Sequence, residues 1–420
     1  MPDLSLPPGS VMPKYGSYCI SGIPSTIMDI FGARPVGMKL PDQAFGGVDV
    51  DGVENVVLLI MDGFGMSAWR RQRREGFVKT MTSKGSVRPI STVFPSTTAA
   101  ALTTFATGLT PQEHGLPEWF VYMKDLDAVV ATLPFSFMQD NARETLRGRM
   151  NPRSLFNGEP IFRRLRKAGV ESHSLVSRAL VGTSYTSLVH GASQKIGYSS
   201  ASDMSTHLRR GVEAARKPSF FYVYWSYVDT IEHRYGPKTD ESELEASSIS
   251  FMIQKGFIDK LDRRAARKTL LIASADHGQV QVSPEKTLYL NRYRSLVSKL
   301  RRTKSGTPIP ATGSARDVFL LVQKGKEEEA REILTKRLAG RASVVRVGDA
   351  VEAGLFGLGR PSKKFRERAG SLLILPHGNG TIWYKDRPGY EFELRGHHGG
   401  LSREEMTVPL AVGRVSDLQR

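Results

Sequence analysis

The feature that most constrains this chain is an unbroken apolar run stopped by Asp and Gly, "NVVLLIMDGFG" at 55–65. A strand with one wet face would alternate apolar and polar residues. A continuous run that ends at a turn signal fits a parallel strand covered on both faces. Similar stretches recur at "SHSLVS" (172–177), "SFFYVYWS" (219–226) and "TLLIASADHG" (269–278), and helical patterns such as "MSTHLRRGVEAARK" separate several of them. This alternation predicts an α/β fold with a mostly parallel central sheet flanked by helices. With 420 residues and 40% hydrophobic content, the chain can bury a large core.

The remaining segments read differently. Residues 1–45 are rich in Pro and Gly and are expected to form an extended arm on the body. Residues 46–279 and 391–420 are assigned to the core. Between them, 280–390 breaks the rhythm: "ARDVFLLVQ", "KEEEAREILTKRLAG" and "ASVVRVGDA" suggest strand, helix, strand in an inserted, smaller α+β cap. The segment "GSLLILPHGNGTIWY" (370–384) is expected to return the chain to the main sheet.

Composition narrows the partners. The formal charge is +17, which steers anionic substrates over long range. The basic clusters, such as "RRQRR" at 70–74, lack the aromatic interleaving of an RNA-binding motif, and no zinc-finger spacing occurs. No apolar run approaches the roughly 20 residues that span a bilayer. The N-terminus lacks a charged-then-apolar leader, so a cytoplasmic location is expected. Cys19 is the sole cysteine, which excludes an internal disulfide and a thiolate metal site. Nothing marks an oligomeric state.

Sites in open α/β sheets lie outside the carboxyl ends of the strands. The residues there are Asp62, then Asp229 and His233 in "DTIEHRYGP", then Asp276 and His277 in "ADHG"; "GHHGG" near the C-terminus adds His397 and His398. Singly, each has a bland reading as a turn, a cap or a surface ion pair. Together they offer carboxylates and imidazoles, the donors that zinc and similar divalent ions take. With one hydroxyl they suffice for two metals about 3.5–4 Å apart. That hydroxyl has two readings in "STTAAALTTFATG" (96–108). Thr97 and Thr98 stand at the mouth of a helix, where a hydroxyl commonly caps free N–H groups. A helix N-terminus also attracts anions, so a hydroxyl there is placed to attack a phosphate.

The set "MDGFG", "STTAAALTTFATGLTPQEHG", "DTIEHRYGP", "ADHG" and "GHHGG", in that order, resembles the alkaline phosphatase superfamily, and within it the type I phosphodiesterase/nucleotide pyrophosphatases. The resemblance covers about residues 55–410. It implies an alkaline phosphatase-like fold and hydrolysis of a small anionic phosphate ester through a phosphothreonine. Two divalent metals are implied as cofactors, zinc first and manganese second. In that superfamily the nucleophile precedes the Gly of the "TG" ending by ten residues, which selects Thr98. By the same analogy Asp229, His233 and His398 hold one metal. Asp62, Asp276, His277 and the Thr98 oxygen hold the other. His397 falls outside the motif and is expected to orient a ligand. Where the family carries an asparagine for phosphoryl oxygen, this chain has Trp119, which either stacks on substrate or packs within the cap. A phosphomonoesterase, a carbon–phosphorus hydrolase and a non-catalytic anion-binding module are the alternatives.

Overall fold

A computed structural model describes residues 4–385, 387 and 389–420. Its main sheet has seven strands, in the order Ser86–Ser91, Thr407–Arg414, Thr269–Ser274, Asn55–Met61, Ser219–Trp225, Glu171–Ser177 and Gln194–Tyr198. The last five run parallel, and Thr407–Arg414 runs antiparallel to both of its neighbours. The three central strands are buried along their whole length, as their unbroken apolar runs require. Helices cover the sheet with apolar faces. In Ala201–Ala214 the buried residues include Met204, Leu208 and Val212, one turn apart, and the Ser200 hydroxyl accepts the Asp203 N–H at its start.

Parallel register brings the strand ends together. Met61 lies opposite Trp225, and Ile60 lies opposite Ser274. The chain therefore emerges at one edge of the sheet as Asp62, itself a candidate site residue, and as Ser226 and Ala275, which precede Asp229 and Asp276.

A second seven-stranded sheet is antiparallel throughout. Its order is Ala342–Arg346, Leu372–Pro376, Val318–Leu320, Thr312–Gly313, Phe120–Met123, Ala128–Ala131 and Ser136–Phe137. This corrects the expectation that 370–384 returns to the main sheet. Leu373 and Leu375 pack with Phe319 and Phe356, while Leu372 and Ile374 pack with Leu320 and Leu334. The strand is covered on both faces, so its apolar run mimics a core parallel strand. The main sheet is completed instead by Thr407–Arg414. The second sheet also recruits 120–137 from the stretch assigned to the core, joined through Gly313 opposite Phe120.

The N-terminal stretch is more than an extended arm. It holds a nine-residue helix, Gly22–Ile30, whose Ile23, Ile27 and Met28 enter the core, and Cys19 bridges to Ser91 at the sheet edge.

Two loops at this edge touch through glycines. A Cβ on Gly65, three residues after Asp62, would come 2.7 Å from the Gly278 Cα, one residue after His277. Backbone cannot give way there as a flexible side chain would. Gly65→Ala is therefore expected to cost about 1–3 kcal/mol. Urea unfolding checks this: the midpoint should fall with little change in slope.

Candidate active site

Each site residue sits on an element whose position the sheet dictates. The Asp62 N–H donates to the Trp225 carbonyl at 2.8 Å, prolonging the ladder by one residue. Asp229 lies in the first turn of the helix Tyr227–Tyr235, and its N–H donates to the Asp62 carbonyl at 3.1 Å. His233 follows one turn later on the same face. Asp276 and His277 leave the end of Thr269–Ser274. The Gly396–His397 segment pairs with Val280–Gln281, with His397 opposite Val280, which brings the C-terminal histidines to the same edge.

Thr98 is the first residue of the helix Thr98–Thr107, all ten residues of which are buried. Thr97 is at the cap position, yet its hydroxyl makes no cap bond. The capping account of these hydroxyls is therefore not realised. The Thr98 Oγ1 instead lies 3.0 Å from His277 Nε2.

His277 Nε2 is the meeting point of one donor set. Asp62 Oδ1 is 3.4 Å from it and Asp276 Oδ2 is 3.3 Å from it. Both oxygens are buried without a hydrogen-bond partner. The other oxygens of the two carboxylates are occupied. Tyr224 donates its hydroxyl to Asp62 Oδ2, and the N–H groups of Gly63 and His277 donate to Asp276 Oδ1 at 3.1 and 3.0 Å.

The second set contains Asp229, His233 and His398. His233 Nδ1 is 2.8 Å from the Gly396 carbonyl, and His398 Nδ1 is 3.0 Å from the Ser96 carbonyl. A carbonyl only accepts, so both Nδ1 atoms carry the proton and both Nε2 atoms present a lone pair. Those two Nε2 atoms are 3.2 Å apart, with Asp229 oxygens 3.4 Å from His233 and 3.7 Å from His398. Lone pairs and carboxylate oxygens converge here with no hydrogen to share. That is a repulsive arrangement unless a cation fills it, and the residues fit a divalent ion on that ground. The two sets adjoin: the His277 and His398 rings stack with centroids 3.6 Å apart.

Electrostatics agree. Burial, then the charges of Asp276 and Asp229, push the Asp62 carboxyl well above its ordinary range. Burial likewise raises Asp276. Burial and the neighbouring imidazoles hold His277 well below its ordinary value, and burial lowers His398 to about 4. His277 and His398 are thus neutral ligands near pH 7, and the carboxyls of Asp62 and Asp276 require positive charge to ionise fully.

All seven residues expected to bind metal converge on these two sets. His397 also comes within ligand reach: one of its ring nitrogens lies within 4.8 Å of those of His233 and His398. Its Nε2 accepts the Ala315 N–H at 3.3 Å, and its Nδ1 is buried without a partner. Trp119 lies at the junction of two cavities beside Thr98; Phe120 lines one of them and also packs against Val129 and Ile309, with which Tyr122 is buried. Sequence reasoning missed Tyr224 and Gln279, whose amide donates to the Asp229 carboxylate and, at 3.1 Å, to its carbonyl. Strand parity held a signal for Tyr224: it is in register with Ile60, two residues before Asp62 and on the same face.

The deciding comparison is with protein families. The type I phosphodiesterase/nucleotide pyrophosphatase family model matches residues 56–401. The chain belongs to this family. Relatives include the venom phosphodiesterase CdcPDE of Crotalus durissus collilineatus, 25% identical over 251 residues, which cover 57% of this chain and 28% of that protein. Venom phosphodiesterase 2 of Crotalus adamanteus is 24% identical over the same shares. The chain thus matches under a third of the length of either venom protein. Murine ectonucleotide pyrophosphatase/phosphodiesterase 5 shares the fold, with a TM-score of 0.63 at 18% identity over 85% of this chain and 87% of that one. The human counterpart gives 0.63 at 19% identity over the same shares.

The raised carboxyls set the pH response of this type I phosphodiesterase family member. Asp276 titrates at about 7 and keeps its proton below that pH, so an incoming metal must displace it. Metal affinity of the stripped protein is expected to fall at least tenfold for each pH unit below about 7, because the raised Asp62 carboxyl must give up a proton as well. Calorimetric metal titration between pH 5 and 8 checks this; a flat profile would contradict it.

Proposed function

We propose that this chain hydrolyses phosphodiesters through a covalent ester between Thr98 and phosphorus that keeps the second substituent, with two divalent cations held by the donor sets above. Zinc suits a mixture of imidazole and carboxylate, and manganese accepts the same donors. The observation that carries the diester reading is a pair of cavities, of about 300 and 470 Å³, that share Thr98, Trp119 and Asp229. A phosphomonoester has one substituent and needs one chamber. A diester or pyrophosphate has a substituent for each.

The chambers differ in character. One carries Tyr222, Tyr227 and Arg143, and the other carries Phe120, Trp383 and Phe392. An inactive variant of the murine relative was solved in complex with AMP, at 17% identity to this chain. By that likeness we extend the substrate class to nucleotide diesters. The aromatic faces of Trp119 and Tyr227 support stacking on a base.

In the reaction Thr98 Oγ1 gives up its proton and bonds to phosphorus while the bond from phosphorus to the leaving oxygen breaks, and that oxygen takes up a proton. Water then attacks that phosphorus, the bond to Oγ1 breaks, the hydroxyl is restored and the phosphomonoester leaves. Bound cations supply the positive charge that favours the ionised hydroxyl and neutralises the phosphate oxygens. The chain itself holds Thr98 at a helix start, where free N–H groups favour an anion. Tyr224 and Gln279 fix the carboxylates of Asp62 and Asp229, and the Gly396 and Ser96 carbonyls fix His233 and His398.

Thr98→Ala is expected to lose on the order of 10⁴-fold or more in turnover while still binding metal, since six side-chain donors remain. Thr98→Ser should retain activity, because a primary hydroxyl reaches the same position. Assays on bis-aryl phosphodiesters, dinucleotides, phosphomonoesters and phosphonates, each beside elemental metal analysis, check both claims. A monoester preferred over every diester would overturn the substrate class.

A further inference from the structure

A second buried acidic group lies behind the nucleophile, outside both donor sets. Glu118 and Asp317 are only 1% and 0% exposed. Their carboxyls face each other, and the Thr97 side chain faces Glu118. Each carboxyl has one oxygen occupied: Glu118 Oε2 accepts the Trp119 N–H, and Asp317 Oδ1 accepts the Ser314 hydroxyl. The other oxygens, Glu118 Oε1 and Asp317 Oδ2, are buried without a partner, and so is Thr97 Oγ1.

Among the described residues, neither carboxylate has a salt-bridge partner, and Arg316 reaches Asp317 only through its field. Arg316, next in sequence to Asp317, is spent on Glu405, to which it donates twice at 2.9 and 2.8 Å. Burying two carboxyls in contact without a cation is costly. Thr97 adds an independent sign. It stands at the helix cap position, 2% exposed, and its hydroxyl neither caps the helix nor finds another partner. It faces the acidic pair instead.

We propose that Thr97, Glu118 and Asp317 form a third cation site, all oxygen and suited to a hard divalent ion, magnesium or calcium, which ties the start of the Thr98 helix to the turn behind His398. The donor chemistry separates it from the histidine-rich sets: hard ions take carboxylate and hydroxyl oxygen, with water completing the shell. Its place gives it leverage. Ser96 bridges to Gly399, Ser314 Oγ lies 3.2 Å from the His398 carbonyl, and a side chain on Gly399 would collide with Asp317. An ion there would brace Thr98 against His398.

The test does not depend on the hydrolase reading, because it measures an ion. The full chain is stripped with chelator, saturated with zinc, and titrated with magnesium alone or calcium alone by calorimetry and equilibrium dialysis. The expected result is one further ion per chain, with affinity at least tenfold weaker in the double variant Glu118→Gln, Asp317→Asn at unchanged zinc content. No additional ion up to about 10 mM would overturn the proposal and leave a shared proton as the means of burying the pair. Equal binding by the double variant would overturn it as well. Should the variant not fold, a calcium-soaked crystal of the wild-type protein decides: an anomalous peak among the three oxygens supports the site, and a calcium peak only elsewhere refutes it.

Discussion

The structure depends on the burial of Asp62 and Asp276 at the ends of two adjacent parallel strands, with His277 Nε2 within 3.4 Å of both. Carboxylates in such a place lose their hydration and repel each other, so unaided they hold their protons. The chain supplies some compensation through the Tyr224 hydroxyl and two backbone N–H groups. It leaves one oxygen on each without a partner. Those oxygens mark where positive charge belongs, and the hydroxyl of Thr98 lies beside them.

The protein then presets what such a charge would meet. Two backbone carbonyls hold the tautomers of His233 and His398, so their lone pairs need no rearrangement. Supporting residues come from separate parts of the chain: the Ser96 carbonyl precedes the nucleophile, while the Gly396 carbonyl precedes the C-terminal histidines. Both are held by tertiary pairing, Ser96 to Gly399 and Gly396 to Gln281. Precision at the site is thus a property of the whole fold rather than of one loop.

Much of this was legible in the sequence because of where the residues fall. Asp62 and the Asp276–His277 pair directly follow apolar runs, and parallel pairing leaves such ends no place but one edge. The four-residue spacing of Asp229 and His233 fixed their common face once the helix formed. The second sheet was not legible. Leu372–Pro376 is buried on both faces, and in sequence that pattern is the same for a parallel core strand and for the middle of a covered antiparallel sheet. The 120–137 strands pair with one another, but they join the sheet through Phe120 opposite Gly313, nearly two hundred positions away, which no local pattern encodes. Thr97 illustrates a subtler limit: its position predicts a cap, and only the acidic pair beside it explains why the hydroxyl is withheld.

The central claim is that Thr98 becomes covalently phosphorylated during turnover. It is tested most directly by acid-quenching the metal-loaded enzyme within the first turnovers on an aryl phosphodiester and mapping the trapped group by peptide mass spectrometry. The expected result is a phosphoryl ester still carrying the second substituent on Thr98 alone, absent from Thr98→Ala. A group on Ser96 or Thr97, or full turnover by Thr98→Ala with no modified peptide, would contradict the account.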